Sequence, residues 1–398
     1  MGYVVEFAVE GLAGHKEIVA QKLNRDVNVF FGPNGSGKTS LLKILHSALD
    51  GGDASTLKNV PFRTAEVKIY SFAFDAVFTR TAQRLDAEEP RDQQATLPLG
   101  LAVSKELEAQ RIRKAHPKIV WSTEPAAGKL EIGTYRVRNL YLPTSRLWPS
   151  STELQYYALR RGAGADIGLG TDEALDLAFQ TSIERLWNAY SARILQKVRA
   201  TQEDGLAKIL REILIGEQRR STRQKGPDPE TAYKRVERFL GRQKSKEGFG
   251  SKAAFQRRYS ESTVVQNVVG LIDEVESGIE EAMTPRNKLQ ALIRTMFSGG
   301  KSLTLMDNVI DIRTDEGASI SIASLSSGEK HALLILLRAV YMERDPILID
   351  EPEISMHVDW QKDLIPSLQS VAKDAQLIVA THSPEIMAPI DDSKIFRL

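Results

Sequence analysis

The sequence contains no cysteine, which excludes disulfide bonds, thiolate metal sites and a cysteine nucleophile. It also lacks any apolar run approaching the roughly 20 residues of a membrane-spanning helix. Its first residues do not show the basic and then apolar layout of a secretory signal. These absences predict a cytoplasmic protein that does not engage a membrane.

Basic and acidic residues nearly balance over the whole chain but not within one segment. The 398 residues carry a net charge of +1. Between Arg219 and Arg258, however, thirteen Lys or Arg stand against four Asp or Glu, so this basic stretch carries +9 and the rest of the chain −8. Such asymmetry predicts an acidic partner for the basic stretch.

The chain is long enough for two or three lobes, and its periodicity predicts three parts. Residues 1–150 carry strand patterns, beginning with a hairpin around Gly11 and Gly14. Residues 151–298 are predicted to be a helical, partly coiled-coil insertion that includes the basic stretch. Residues 299–398 return to strand patterns and carry three further motifs.

Individual elements follow from the same patterns. Strands are predicted over 67–72, 135–142, 302–305, 309–313 and 318–322. Helices are predicted over 105–114, 172–216 and 264–283. A surface loop is predicted over 81–98.

A phosphate loop is the most specific motif. Residues 32–39 read Gly-Pro-Asn-Gly-Ser-Gly-Lys-Thr, a full G-x-x-x-x-G-K-[ST] pattern between an apolar strand and a helical pattern. Backbone N–H groups of such a loop, with the positive end of the following helix, bind phosphate oxygens. The residues predicted to bind the nucleotide here are Asn34, Gly35, Ser36, Gly37, Lys38, Thr39 and Ser40, and Thr39 is also predicted to bind Mg²⁺.

A second motif joins two acids to a short apolar strand. Ile347, Leu348 and Ile349 are followed by Asp-Glu-Pro-Glu. Beside a phosphate loop, Asp350 can hold Mg²⁺ and Glu351 can orient or deprotonate the attacking water. The plainer alternative is a turn with solvated acids.

Two shorter motifs complete the set. Residues 325–329 read Leu-Ser-Ser-Gly-Glu directly before an apolar helix, where Ser326 or Ser327 is a suitable N-cap. His382 follows the strand pattern of residues 377–380, where a lone histidine is often structural. As the last of four ordered motifs, His382 resembles the switch histidine of ABC-type ATPases, which implies a contact with the γ-phosphate.

Together the four motifs resemble the SMC/RecF/OLD branch of the ABC-type ATPases, an AAA-type ATP-binding group. The resemblance implies an α/β fold, with an ABC ATPase head of mixed β-sheet and flanking helices and a helical insertion. It implies ATP and Mg²⁺ as cofactors and a homo-oligomer of at least two chains. Each ATP is expected to lie between the phosphate loop of one chain and the signature residues Ser326, Ser327, Gly328 and Glu329 of another. Glu351 and His382 are the expected catalytic residues.

Residues 141–146 stand where this group carries a Q-loop, but they contain no glutamine. A transporter ATPase is a first rival reading, and the insertion is longer than such domains normally have. A long-armed chromosome-organising protein is a second, and the predicted arms are too short for it.

The resemblance extends to the ATPase component of two-gene anti-phage systems such as PARIS or Septu, which implies a sensor or scaffold that controls a separate nuclease or toxin. The alternative is an SMC/RecF-like DNA-binding repair ATPase.

The sequence of the insertion is compatible with several kinds of partner. Its basic stretch, with interspersed aromatic residues including Tyr233, Phe239, Phe249, Phe255 and Tyr259, is suited to DNA or RNA or is simply a solvated loop. Alternatively the insertion docks a protein, such as a phage protein, through apolar side chains that include Trp187 and Tyr190, unless these pack internally.

Overall fold

The structure is a computed structural model that describes residues 1–85, 118–124, 135–144, 171–215, 226–242, 251–297 and 300–398. Within these ranges the chain forms two compact units. The first contains Met1–Ile183, Thr295–Ser302 and Ile312–Leu398. The second contains Glu184–Arg294 and Leu303–Asp311. The predicted helix over 105–114 and most of the predicted loop over 81–98 lie outside the described residues.

The first unit contains an antiparallel sheet built on the N-terminal hairpin. Its strands are β1 (Gly2–Glu10), β2 (Ile18–Lys22), β4 (Thr64–Ser71), β5 (Ala76–Leu85) and β6 (Lys118–Glu124), in the order β2-β1-β4-β5-β6. Strand β1 alternates buried and less buried residues, as expected for a sheet with one face on the core. The predicted hairpin is confirmed. The loop expected from residue 81 was wrong in its first part, because β5 continues to Leu85 by pairing with β6.

A second, parallel sheet carries the nucleotide motifs. Its strands are β3 (Val27–Phe31), β7 (Leu140–Leu142), β10 (Ile347–Asp350), β11 (Leu377–Thr381) and β12 (Ile395–Arg397), in the order β12-β3-β11-β10-β7. All four pairings are parallel. Strands β3, β10 and β11 are almost wholly buried, in agreement with their predominantly apolar sequences. Parallel strands place their carboxyl ends at one edge, where open α/β sheets bind ligands.

Helix α1 (Lys38–Leu49) joins the two sheets into one core. Its buried residues share a cluster with side chains of β1, β4 and β5 and with Phe30, Leu348 and Ile378 of the parallel sheet. This core fixes the first turn of α1 against the carboxyl edge of the parallel sheet.

The second unit consists mainly of helices. They are α2 (Thr171–Ile215), α3 (Pro229–Arg242), α4 (Lys252–Glu261) and α5 (Thr263–Met296), of which the start of α2 and the end of α5 belong to the first unit. A Cβ at Gly205 of α2 would lie 2.0 Å from Val275 Cγ2 of α5, so the glycine permits a close approach of these helices. The prediction that the α5 segment ends near residue 283 was wrong, because the helix passes through Pro285 to Met296.

The C-terminal part of the chain adds β8 (Lys301–Leu305), β9 (Ile310–Thr314), α6 (Ser327–Met342), α7 (Val358–Val371) and the short α8 (Pro384–Met387). The strand predicted over 318–322 is wrong. After a turn at Gly317, with φ +85°, only an isolated bridge between Arg313 and Ser319 forms, and a 3-10 turn follows at Ile322–Ser324. The Ser321 hydroxyl accepts a hydrogen bond from Ala323 N, which favours this turn over a strand.

None of the helices in the described part of the chain is both long enough and apolar enough to cross a bilayer.

Candidate nucleotide-binding and hydrolysis site

The phosphate loop lies between β3 and α1, as the sequence predicts. Gly35 and Gly37 have φ values of +87° and +99°, a backbone region that favours glycine. A Cβ at Gly32 would lie 2.5 Å from the Leu398 carbonyl oxygen. The buried Ser36 Oγ has no hydrogen-bond partner among the described residues. A buried hydroxyl in this state is suited to donate to a phosphate oxygen.

The side chain of Lys38 folds back onto the start of the phosphate loop. Its Nζ donates to the carbonyl oxygens of Gly32 at 2.8 Å and Pro33 at 3.0 Å, and the side chain is buried. The ammonium group therefore already lies on the concave loop where terminal phosphates would bind. Asn34 and Gly35 are exposed at the tip of the loop, and Ser40 is half-buried in the first turn of α1.

Asp350 ends β10 and meets the phosphate loop directly. Thr39 Oγ1 lies 2.8 Å from Asp350 Oδ2 and 3.0 Å from Oδ1. Thr144, just beyond β7, donates from its hydroxyl to Asp350 Oδ2 at 2.9 Å. Burial raises the pKa of Asp350, and the bonds from the two threonines and the charges of Lys43 and Lys38 oppose this rise without cancelling it.

This corner fits Mg²⁺. The carboxylate and hydroxyl oxygens are the hard donors that the ion prefers, and Mg²⁺ commonly takes only one or two carboxylates beside substrate phosphates. The described residues contain no cluster of three or more His, Cys, Asp or Glu that could hold a metal ion. The sequence did not single out Thr144, although its segment was noted as a Q-loop position without glutamine.

Glu351 and His382 lie at the ends of the neighbouring strands β10 and β11. Glu351 has φ +50°, an uncommon conformation for a non-glycine residue. Its backbone N donates to the Ala380 carbonyl oxygen at 2.8 Å, which fixes the turn after β10. His382 Nδ1 lies 3.8 Å from Glu351 Oε1. The structure thus brings the two predicted catalytic residues together.

Glu353 is a functional candidate that the sequence reasoning missed. Its Oε1 accepts hydrogen bonds from Thr381 Oγ1 at 2.7 Å and His382 N at 2.9 Å, and it lies 3.2 Å from His382 Nδ1. The signal was present, because Glu353 belongs to the same Asp-Glu-Pro-Glu run as Asp350 and Glu351.

The signature segment forms a capped helix start. Ser326 is the N-cap of α6, its Oγ accepting from Glu329 N at 3.3 Å while Glu329 Oε2 accepts from Ser326 N at 2.7 Å. Lys301 Nζ donates to the same carboxylate oxygen at 2.8 Å. Burial works to raise the pKa of Glu329, but the Lys301 and Ser326 bonds outweigh it and the pKa is lowered. Ser326 and Ser327 remain exposed at a helix N-terminus, whereas the Glu329 carboxylate is occupied within its own chain.

The start of α6 also contacts the turn after β10. A Cβ at Gly328 would lie 2.4 Å from the Ser355 carbonyl oxygen. His331 Nδ1 lies 2.8 Å from the Ile354 carbonyl oxygen, and burial lowers the pKa of His331. A neutral His331 can donate from Nδ1 to this carbonyl, so the turn and the signature helix are directly bonded.

A cavity of about 560 Å³ lies beside the hairpin turn. Gly11, Gly14, His15 and Lys16 of the turn line it, together with Arg63 and Arg84. The same turn reaches the phosphate loop, since a Cβ at Gly37 would lie 2.9 Å from Leu12 Cγ.

Several cations of the described part of the basic stretch are paired with acids of the same chain. Four of its cations form ion pairs: Lys234 and Lys252 with Glu230, Arg235 with Asp273, and Arg257 with Glu261.

Four of the five aromatic side chains that one reading offered for base stacking pack inside the second unit. Phe255 and Tyr259 are buried in the core of the second unit, with Tyr233 and Phe239 packed against them, because α3 and α4 form a helical pair here. Phe249 lies outside the described residues. The reading as a solvated loop was wrong for these helices.

Trp187 and Tyr190 are also internal. Their side chains are 0% and 1% exposed, and Trp187 Nε1 donates to the Met306 carbonyl oxygen at 2.7 Å. They pack within the second unit and cannot serve as the docking surface that was considered for them.

Two family models match the chain. The one described as "AAA domain, putative AbiEii toxin, Type IV TA system" matches residues 184–388, which include the signature, the acidic pair and His382. Another, described as "AAA domain", matches residues 8–121, which include the phosphate loop.

Curated relatives match short segments. The chain is 32% identical to "Retron Ec83 probable ATPase" of Escherichia coli over 118 residues, covering 26% of this chain and 22% of that protein. It is 29% identical to "Retron Vc95 probable ATPase" of Vibrio cholerae serotype O1 biovar El Tor over 92 residues, covering 20% and 18%. The match therefore spans about a fifth of the length of these relatives.

Among solved structures, the chain is similar to an Smc head domain with an extended coiled coil from Pyrococcus furiosus, with a TM-score of 0.44 and 14% identity over 98% of this chain and 92% of that one. It is also similar to the SMC head domain from Thermotoga maritima, with a TM-score of 0.41 and 13% identity over 98% and 92%.

Proposed function

Because the chain belongs to the AAA-domain family whose model matches residues 184–388, we propose that it binds ATP with Mg²⁺ and hydrolyses it to ADP and phosphate. The observation that carries the proposal is the contact of Thr39 with Asp350. It joins the phosphate loop to the acidic end of β10 across 311 positions of sequence. Glu351, adjacent to Asp350, and His382 then stand at the same sheet edge.

The residues take the following roles. Lys38, Ser36 and the backbone N–H groups of the loop bind the phosphates. Thr39, Asp350 and Thr144 would hold Mg²⁺, which when bound neutralises phosphate charge. Glu351 orients the attacking water and accepts its proton, and His382 contacts the γ-phosphate.

The cavity beside the hairpin turn is suited to the nucleoside end of ATP. Its volume of about 560 Å³ falls within the range of small-ligand sites, and its arginine and histidine side chains can stack on a base.

The active form in this proposal is a dimer or a higher homo-oligomer. Ser326 and Ser327 are exposed at the N-terminus of α6, where N–H groups and the helix dipole favour an anion. This surface supports a composite site in which the signature residues of one chain close on the ATP bound to another chain. Gly328 of the signature lies against the backbone of its own chain.

Purified variants test the hydrolysis proposal. Lys38→Ala should abolish tight ATP binding, because it removes the buried ammonium group from the phosphate loop. Glu351→Gln should keep binding but lose about 100- to 10,000-fold in turnover, since it cannot accept the proton of water. Phosphate release and binding of a fluorescent ATP analogue measure the two effects.

The exposed Glu316 provides a matched control, and Glu316→Gln should behave as the wild type. Wild-type turnover in Glu351→Gln would contradict the assigned role of Glu351.

A wider role is supported by the comparisons with proteins that are named as retron ATPases and with a family described as a toxin of a TA system. We propose that the chain is the sensor or scaffold ATPase of an anti-phage complex and controls a separate nuclease or toxin in the cytoplasm. Co-purification of the tagged chain with the product of a neighbouring nuclease or toxin gene tests this, and infection of cells lacking the ATPase gene tests protection.

An SMC/RecF-like DNA-binding repair ATPase is the alternative. The paired cations and buried aromatics of the described basic stretch support this alternative less well. DNA binding with a steep salt dependence would favour it.

A further inference from the structure

Glu353 combines burial with an uneven set of contacts. The side chain is 6% exposed, and its Oε1 accepts from Thr381 Oγ1 and His382 N and lies within 3.2 Å of His382 Nδ1. Its Oε2 is buried and has no hydrogen-bond partner among the described residues. A buried carboxylate with an unsatisfied oxygen costs stability and calls for a use.

The backbone holds Glu353 in place independently of its side chain. Residue 353 stands between Glu351 and Ser355, whose φ values are +50° and +64°. Ile354 N donates to the Glu351 carbonyl oxygen at 3.3 Å, and Met356 N donates to that of Glu353 at 3.0 Å. The turn is therefore closed by its own backbone bonds.

The two hydrogen bonds that Oε1 accepts do not require a charge. The amide oxygen of a glutamine could accept from Thr381 Oγ1 and His382 N without the cost of burying one. The feature that glutamine lacks is the negative charge, and this charge lies beside the ring of His382.

We propose that Glu353 is the positioning residue of His382 in ATP hydrolysis, an inference that rests on the proposed function. Its carboxylate lies 3.2 Å from His382 Nδ1 and faces that ring nitrogen, which leaves Nε2 as the one that meets the γ-phosphate. To donate to an anionic phosphate oxygen from Nε2 while presenting Nδ1–H to the carboxylate, the ring must carry both protons. The charge of Glu353 compensates the positive ring, much as a carboxylate orients and stabilises a catalytic imidazolium.

The same loop is tied from its other side, which restricts how His382 can move. Ser383 N donates to Thr381 Oγ1 at 2.9 Å, and Ser383 Oγ donates to Gln361 Oε1 at 2.7 Å. Thr381 thus links Glu353 to the backbone that carries the histidine. Glu353 therefore holds both the loop that carries His382 and one edge of its ring.

The test is a double-mutant cycle of Glu353→Gln and His382→Ala in the full chain, with Glu316→Gln as the exposed control. We expect Glu353→Gln to lower kcat by about 10- to 100-fold, the range for residues that orient a functional histidine, with KM and the Tm nearly unchanged. We expect the double variant to be no slower than His382→Ala alone, because Glu353 acts through His382.

Three results would overturn the inference. The first is a wild-type kcat in Glu353→Gln. The second is a double variant that is slower than His382→Ala by the same factor by which Glu353→Gln is slower than the wild type. The third is failure of Glu353→Gln to fold, which would show that the charge is needed for folding. If the proposed function itself were wrong, the result would be different, because the folded wild-type protein would then release no phosphate from ATP with Mg²⁺.

Discussion

At the scale of single residues, the candidate site concentrates buried charge. Counted over the whole residue, Lys38 is 4% exposed, Asp350 3% and Glu353 7%. Burying a charge costs stability unless the charge is paired and hydrogen-bonded, and buried charges of this kind cluster at functional sites. Asp350 illustrates the cost, since burial raises its pKa above the usual value even with Thr39 and Thr144 donating to it.

Because burial of the Asp350 charge destabilises the folded protein, removing the charge should raise stability and lower activity. A pKa raised in the folded state means that the folded protein binds the proton more tightly, so stability is lost as pH rises from 3.8 through the folded pKa. Asp350→Asn removes this penalty while keeping an oxygen that accepts from Thr39. Its Tm should exceed that of the wild type by a few degrees at pH 7, with a smaller difference toward pH 4.

The same variant should hydrolyse ATP at least about 100-fold more slowly, because one charged Mg²⁺ ligand is lost. Thermal melts across the pH range and a phosphate-release assay check both expectations. A variant less stable than the wild type at pH 7 would show that the carboxylate is not a net cost.

At the scale of elements, the signature helix α6 is fixed by contacts at its first turn. Ser326 and Glu329 cap it, Lys301 donates to the cap, and Lys330 Nζ lies 2.7 Å from Asp176 Oδ1 at the start of α2. Gly328 allows the helix to lie against the turn after β10. The exposed serines are thereby held in one orientation.

Gly328→Ala should disrupt this contact. The added Cβ would lie 2.4 Å from the Ser355 carbonyl oxygen, a backbone atom that cannot rotate away. We expect a loss of about 1–3 kcal/mol in the free energy of unfolding, as for overpacking, together with slower ATP turnover. Urea unfolding and the phosphate-release assay measure these effects.

Gly270 of α5 provides the matched control, because a Cβ there meets nothing within 4 Å. Gly270→Ala should raise stability by about 0.5–1 kcal/mol through helix propensity. Equal effects of the two variants would refute the contact as the cause.

At the scale of the whole molecule, the proposed dimer makes the two halves of one site belong to different chains. The phosphate loop and the signature serines would then meet only across a two-fold interface, where the same surface of both chains is used. Inactive variants of the two halves should therefore complement each other.

Mixing Lys38→Ala with Ser327→Arg tests this arrangement. Each variant alone should be inactive, but a mixed dimer joins the intact phosphate loop of one chain to the intact signature of the other. An equal mixture should recover up to about a quarter of wild-type turnover, since half of the dimers are mixed and each has one intact site. A mixture as inactive as its components would count against a site shared between chains.

The sequence by itself determined the nucleotide motifs and the fold class. The α/β prediction is confirmed by the two sheets and their helices, and the AAA-type assignment by the family match. The phosphate loop at residues 32–39 could be identified from the sequence because all of its residues are contiguous. Its glycines stand at the positions where the loop needs backbone angles that favour glycine. The N-cap choice between Ser326 and Ser327 was left open by sequence and fell to Ser326.

Only the tertiary structure decided which distant side chains join the site. Thr144 reaches Asp350 because β7 and β10 are parallel neighbours, with Leu142 opposite Ile349, and no local pattern encodes that pairing. Glu353 reaches His382 because β10 adjoins β11 and the turn between Glu351 and Ser355 reverses the chain. Burial was equally undetermined by residue type, since the aromatic side chains of the basic stretch suit a nucleic acid as well as a core until α3 and α4 close over them. Local backbone geometry is set by neighbouring residues in sequence, whereas strand pairing and burial are set by long-range packing.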